Sequence, residues 1–349
     1  MDPIPPRKGR GATFDPPCRY RERHRVPMDD GWTRQPPPAT QVEVEQPRAV
    51  LSRNRSPDIP FDRSVNPYRG CEHGCIYCYA RPTHAWLGLS PGLDFETRLT
   101  AKPEAPAILR RTLLRPGYTC APIALGTNTD PYQPIERRWR ITRGILKVLS
   151  ELEHPCTITT KGALIERDLD LLRSMATRRL VQVQISLTTL DAELARILEP
   201  RAASPRRRLE LIRTLGEAGV PVAVMVAPVI PALTDHELER ILMSAAEAGA
   251  RAAGWVLLRL PLEVAPLFED WLRTHLPERA EHVLARVRDT RAGRSNDPRY
   301  GMRMRGEGVF ADLIDQRFRL AIRRLGLDEP PPPLDIGRFR GSPAQLRLF

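Results

Sequence analysis

The chain has 349 residues, enough for one large domain or two ordinary ones, and 41% of them are hydrophobic, so a sizeable core can be buried. The formal net charge is +12 and only 6 residues are cysteine, which argues against a disulfide framework and fits a reducing cytoplasm. No apolar run approaches the roughly 20 residues that span a bilayer, and the charged N-terminal stretch lacks the apolar segment of a secretory signal.

The 36 prolines gather toward the ends, in "MDPIPPRKGR", "QPPPAT" and "DEPPPPLD". This composition predicts a disordered, basic, Pro-rich leader over residues 1–55 and a Pro-rich tail over 327–349. The positive charge is almost all arginine, since only Lys8, Lys102, Lys147 and Lys161 are lysines. Arginine-favouring codon usage and a surface that attracts nucleic-acid phosphates both account for this, and charge alone does not separate them.

In chain order, a strand near residues 61–70 leads into a cysteine-rich run, and a short strand is expected at 96–101. "APIALG" (121–126), "CTITTK" (156–161), "LVQVQISL" (180–187), "VPVAVMVA" (220–227) and "GWVLLRL" (254–260) then read as strands. Helical patterns lie between them: Leu190, Leu194, Ile197 and Leu198 recur at helical spacing, as do Leu238, Ile241, Leu242 and Ala245. The second of these helices opens on "TDHE", where Thr234 and Glu237 are placed for a capping box. Such alternation with short connections predicts parallel strands in about six βα units.

The strand patterns add a detail. In "LVQVQISL", Val181, Val183, Ile185 and Leu187 share one face, while Gln182, Gln184 and Ser186 share the other. The same parity in "CTITTK" groups Thr157, Thr159 and Lys161. Strands of a doubly wound sheet are apolar on both faces, so one polar face predicts a lumen. The fold class expected is therefore α/β: a partial (β/α)6 TIM-like barrel over residues 56–262, with a helical C-terminal extension over 263–326. Parallel barrels carry their chemistry at the carboxyl ends of the strands, which is where Lys161, Ser186 and the loop after Gly126 fall. The stretch "RYGMRMRGEGVFADL" (299–313) reads as a loop before a helix, suited to line the barrel mouth.

The chemistry centres on "VNPYRGCEHGCIYCYARP" (65–82), in which Cys71, Cys75 and Cys78 are spaced C-x3-C-x2-C with no fourth cysteine nearby. A zinc site needs a fourth ligand, for which His73 and His84 are the candidates. An iron–sulfur cluster with three protein ligands instead leaves one iron open to bind a small molecule. Gly70 and Gly74 give the loop backbone freedom, and Tyr77 puts a flat side chain beside the last thiol.

The run C-x3-C-x-(aromatic)-C at the end of the first strand of such a barrel resembles the signature of the radical S-adenosylmethionine (SAM) superfamily. Within it, "YRGCEHGCIYCYAR", "LGTNTDPYQPIE", "TITTKGALIERDLDLL" and "ISLTTLD…LEPRAASPRRRL" are similar to the spore photoproduct lyase-like group, often labelled DNA repair photolyases. The resemblance implies a 4Fe–4S cluster on Cys71, Cys75 and Cys78 and SAM on the open iron. It implies reductive cleavage of SAM to a 5′-deoxyadenosyl radical, with a reduced flavodoxin- or ferredoxin-type electron donor as partner. By the same resemblance Lys161 and Ser186 contact SAM, joined by Tyr77, while Asp130 or Glu136 holds its amino group. Arg201 and Arg208 are read as solvated. Spore photoproduct lyase uses a hydrogen-donor cysteine near the end of the second strand, where this chain has Gly126, Thr127 and Asn128, and Cys120 and Cys156 fall at strand starts. Tyr68, Tyr77, Tyr79 and Trp86 are candidates to stack on a base. The expected function is thus a radical SAM enzyme acting on nucleic acid, in repair or modification. The alternatives are a small-molecule or peptide substrate, or a non-catalytic iron–sulfur or zinc protein.

Overall fold

A computed structural model describes residues 8–21, 39–329 and 331–341. Six parallel strands form its centre: Arg63–Val65, Ile123–Leu125, Cys156–Thr160, Val181–Ser186, Val222–Val229 and Ala252–Leu257. They are hydrogen-bonded in that order, each to the next, and Leu51–Arg53 adds an antiparallel strand outside the first. The result is an open, partial barrel of the expected class, with edges at Leu51–Arg53 and Ala252–Leu257.

The parity seen in the sequence sets the layers. Cys156, Ile158, Val181, Val183, Ile185, Val222, Val224 and Val226 are buried against the surrounding helices in one continuous core. β-branched residues suit this role because their stiff side chains fit a pleated surface. The opposite faces carry the polar residues, and Thr159 Oγ1 donates to Gln184 Oε1 at 3.0 Å across neighbouring strands.

Several expectations are corrected. The strand at Arg98–Ala101 does not join the barrel; it pairs parallel with Gln41–Val44 and antiparallel with Tyr68–Arg69 in a small separate sheet. Within the stretch predicted as a disordered leader, Gln41–Val44 and Leu51–Arg53 are therefore strands. Short strands of mixed polarity carry little periodic signal and are ordered here by partners far along the chain. Residues 9–21 also pack, since Gly11 N and Ala12 N donate to the buried Glu96 carboxylate (3.0 and 2.9 Å) and Asp15 Oδ1 accepts from Leu93 N (2.7 Å). Residues 1–7 and 22–38 of that leader lie outside the described residues.

The capping box at "TDHE" does not form. Thr234 Oγ1 accepts from Ile230 N at 2.9 Å, and Glu237 turns to Thr189 Oγ1 and Leu190 N. A buried carboxylate is drawn to donors that would otherwise lack an acceptor.

The C-terminal extension is helical as expected, over Val264–His275, Pro277–Asp289 and Val309–Leu325. The first two helices share a second core with Cys75, Ile76 and Tyr77 of the cysteine loop, so the extension buttresses the site. Residues 331–341 of the Pro-rich tail lie across the amino-terminal ends of the second to fourth barrel strands, and residues 342–349 lie outside the described residues. Pro332 O accepts from Gln182 Nε2 (2.9 Å), Arg340 N donates to Leu152 O (2.8 Å), and the Phe339 ring sits 5.0 Å from His154 and 5.5 Å from Tyr118. Among the described residues no helix is long and apolar enough to cross a membrane.

Candidate metal and cofactor centre

The first barrel strand ends at Val65, and the chain then turns into the cysteine loop. Gly70 and Gly74 have φ of 72° and 68°. A Cβ at Gly74 would lie 2.8 Å from Glu96 Oε2, so a side chain is excluded there on two counts. Cys71, Cys75 and Cys78 are free thiols, the first two buried and the third half-buried. Burial pushes all three thiols above their ordinary range, and the charges of Asp130 on Cys71 and Glu199 on Cys75 push the same way.

What holds this loop is a buried ion pair that the sequence reading missed. Arg81 and Glu96 are both fully buried, with Nη2 to Oε1 at 2.6 Å. Arg81 also donates to the carbonyls of Cys75 (3.0 Å), Gly74 (3.1 Å), Gly92 (2.9 Å) and Pro91 (3.1 Å). One planar fork of donors thus fixes four backbone oxygens around the cysteines.

Both histidines weighed as zinc ligands are otherwise engaged. His73 Nδ1 faces Asp130 Oδ2 at 3.4 Å, and His84 Nε2 lies 2.9 Å from Arg98 O.

The third and fourth strands bring Lys161 and Ser186 together. Lys161 Nζ donates to Ser186 Oγ, lies 3.4 Å from Ala227 O, 3.8 Å from Glu199 Oε1 and 5.9 Å from the centre of the Tyr77 ring. Tyr77 is itself buried, and its hydroxyl donates to Glu199 and sits 3.1 Å from Thr188 Oγ1. Lys161, Ser186 and Tyr77 therefore meet beside Cys75 and Cys78 around Glu199, a residue within the quoted run "LEPRAASPRRRL" that was not singled out. Glu199 pairs with Arg208, whose guanidinium also donates to Ala203 O (2.8 Å) and Ser186 O (3.1 Å). Burial opposes ionisation of Glu199, yet Arg208 and Lys161 hold its pKa down to about 2. Arg208 is thus buried rather than solvated, as a correction, whereas Arg201 lies at the surface and pairs with Glu72 at 3.0 Å.

Asp130 is beside the loop, but its oxygens are committed. They accept from Thr160 Oγ1 (2.6 Å), Lys161 N (2.7 Å) and Tyr132 N (2.8 Å), and face His73. Burial alone would raise this carboxyl, but His73 with these donors holds it at about 2. Glu136 lies apart, bound to Tyr68, Thr142 N and Arg167. Cys120 and Cys156 stand at or before the amino-terminal ends of their strands, away from this site.

The description "Radical SAM superfamily" matches residues 65–245. An uncharacterized protein of Mycobacterium tuberculosis (strain H37Rv) is 40% identical over 294 residues, covering 83% of each chain. Among solved structures, a tyrosine-to-phenylalanine variant of spore photoproduct lyase superposes with a TM-score of 0.57 at 16% identity, over 81% of this chain and 79% of that one. Spore photoproduct lyase complexed with dinucleoside spore photoproduct gives 0.54 at 15%, with the same coverage. At such identities the likeness is one of fold. The family match, by contrast, spans the cysteine loop, Lys161 and Ser186. This chain belongs to the radical SAM superfamily and is a radical SAM enzyme.

Proposed function

We propose that Cys71, Cys75 and Cys78 ligate a 4Fe–4S cluster, that SAM sits between it and the Lys161–Ser186 pair, and that the substrate is a nucleic acid. The observation that carries this reading is that Lys161 and Ser186, from two separate strands, meet beside Tyr77 of the cysteine loop. Features that favour the cofactor are three free thiols near enough to act on one another's charge, and two nearby histidines turned to protein partners. A reduced cluster bound there would supply one electron for breaking the C–S bond of SAM, giving methionine and a 5′-deoxyadenosyl radical able to take a hydrogen atom from substrate.

The protein's own contribution is orientation and charge. Lys161 offers an ammonium for the SAM carboxylate, and Ser186 a hydroxyl that already donates to Ala227 O at 3.1 Å. Glu199 balances the Lys161 and Arg208 charges. Asp130 acts through others, holding the Lys161 backbone and His73 in place. Enzymes of this family need an electron donor, for which a reduced flavodoxin or ferredoxin is the proposed partner. In a reducing cytoplasm such a donor is at hand.

Two measurements test the reading. Replacing Lys161 by methionine should leave iron content unchanged and raise the SAM dissociation constant about tenfold to a hundredfold, the scale of one charge-assisted hydrogen bond; equilibrium dialysis with labelled SAM reads this. Because no cysteine stands near the end of the second strand, the protein should not return spore-photoproduct DNA to paired thymines by cysteine donation. Efficient repair by the reconstituted enzyme with SAM and reductant would contradict that part of the account.

A further inference from the structure

Arg259 follows the last barrel strand at the open edge of the sheet, and its guanidinium lies 5.3 Å from the centre of the Tyr79 ring, one residue beyond the last cysteine. Tyr79 leans across the mouth, its hydroxyl donating to the carbonyl of Thr127 after the second strand, yet the residue is 47% exposed. The Arg259–Tyr79 contact thus joins the far edge of the barrel to the cysteine loop.

Arg259 is poorly satisfied for a half-buried cation. Its Nε is shielded from solvent with no acceptor, its Nη1 reaches only Met304 Sδ at 3.7 Å, and among the described residues no carboxylate lies within ion-pair distance. Its neighbours add positive charge. Arg303 is held by Asp58 through two bonds of 2.7 and 2.5 Å, which uses that carboxylate. Arg291 is fully buried, donates to Leu258 O (2.6 Å), Leu257 O (3.2 Å) and Met302 O (2.6 Å), and has its own Nε without an acceptor. Burial, then Arg303, lowers the pKa of Arg259, and burial with Arg259 draws that of Arg291 down to about 10. A buried guanidinium without an acceptor is costly unless a ligand supplies one. The planar fork of arginine matches a phosphate, and an exposed ring beside it suits a base.

We propose that Arg259 anchors a phosphate of a single-stranded nucleic-acid substrate at the barrel rim, with Tyr79 against an adjoining base. This rests on the radical SAM reading above, and names where the substrate is gripped. Arg303 and Arg291 position the anchor; Asp58 and the carbonyls of 257, 258 and 302 hold them.

The test uses the reconstituted holoenzyme and a short fluorescein-labelled oligothymidylate, with anisotropy followed through a salt titration. Arg259→Gln should weaken binding about tenfold at low salt and reduce the log–log salt slope by about 0.7, the value for one phosphate contact on a single strand. Tyr79→Ala should weaken binding about fivefold or more and leave the slope unchanged. Arg206→Gln, at an exposed site elsewhere, should alter neither. An unchanged slope in Arg259→Gln, an equal loss in Arg206→Gln, or displacement by inorganic polyphosphate as effective per charge as unlabelled oligothymidylate would each overturn the proposal. Iron content and substrate-free SAM cleavage are measured on every sample. If these persist while the slope fails to move, only this proposal falls; if the wild type lacks them, the reading beneath it falls.

Discussion

Replacing Cys75 by alanine is expected to abolish both the iron–sulfur chromophore and SAM cleavage while leaving the chain folded. Cys75 sits in the second core with Ile76, Tyr77 and the C-terminal helices. Its carbonyl is held by Arg81, and its neighbour Ile76 N donates to Leu198 O at 3.1 Å. None of those contacts needs the sulfur. The loop should therefore keep its path, and trimming one buried sulfur should cost roughly 1 kcal/mol of stability. A three-ligand cluster has no such reserve, because its one open iron is already given to the cofactor. Iron analysis, the visible spectrum and circular dichroism together check this. Retention of the full cluster would show that the three-cysteine assignment is wrong.

The second large effect is expected at Glu199. Replacing it with alanine leaves the Arg208 guanidinium buried with only carbonyl acceptors, and takes an acceptor from the hydroxyls of Tyr77 and Thr188. Breaking a buried pair from one side costs about 3–5 kcal/mol, to be read as a shift in urea denaturation. Replacing both partners together, Glu199→Leu with Arg208→Met, should recover much of that stability, since an apolar pair of similar volume avoids the uncompensated charge. The double variant should nonetheless bind SAM poorly, because Tyr77 and Lys161 lose the group that orients them. Stability and cofactor affinity would then separate. Normal SAM binding in the double variant would place Glu199 outside the cofactor seat.

The barrel and the placing of part of the candidate site were legible because their signals are local. Period-two alternation in "LVQVQISL" and "CTITTK" marks an inner and an outer face, and Lys161 and Ser186 then fall at strand ends as register dictates. The cysteine spacing is equally local. What escaped depends on partners distant in the chain. Arg81 sits inside the quoted motif, but its worth comes from Glu96 and four carbonyls. Arg208 shares a helix face with Leu211, Ile212 and Leu215, but a cation on that buried face makes sense only once Glu199 is seen beneath it. Composition misled at the ends for a related reason. Proline-rich segments lack periodicity, yet Pro332 and Phe339 find fixed places on the barrel floor because the strand ends there offer an unpaired amide and an aromatic pocket.

Asp130 shows what local reasoning leaves out. A carboxylate in a loop at the right strand end is a reasonable ligand for an amino group, but four protein groups already surround it. Its proposed contribution is the fixed geometry of Lys161.

The most direct test of the account is anaerobic reconstitution of the purified chain with iron and sulfide, followed by SAM and dithionite. The account predicts about four irons per chain, a brown chromophore that bleaches on reduction, and release of 5′-deoxyadenosine with methionine. One tightly bound zinc, or a cluster with every iron ligated by protein side chains and no 5′-deoxyadenosine, would contradict it.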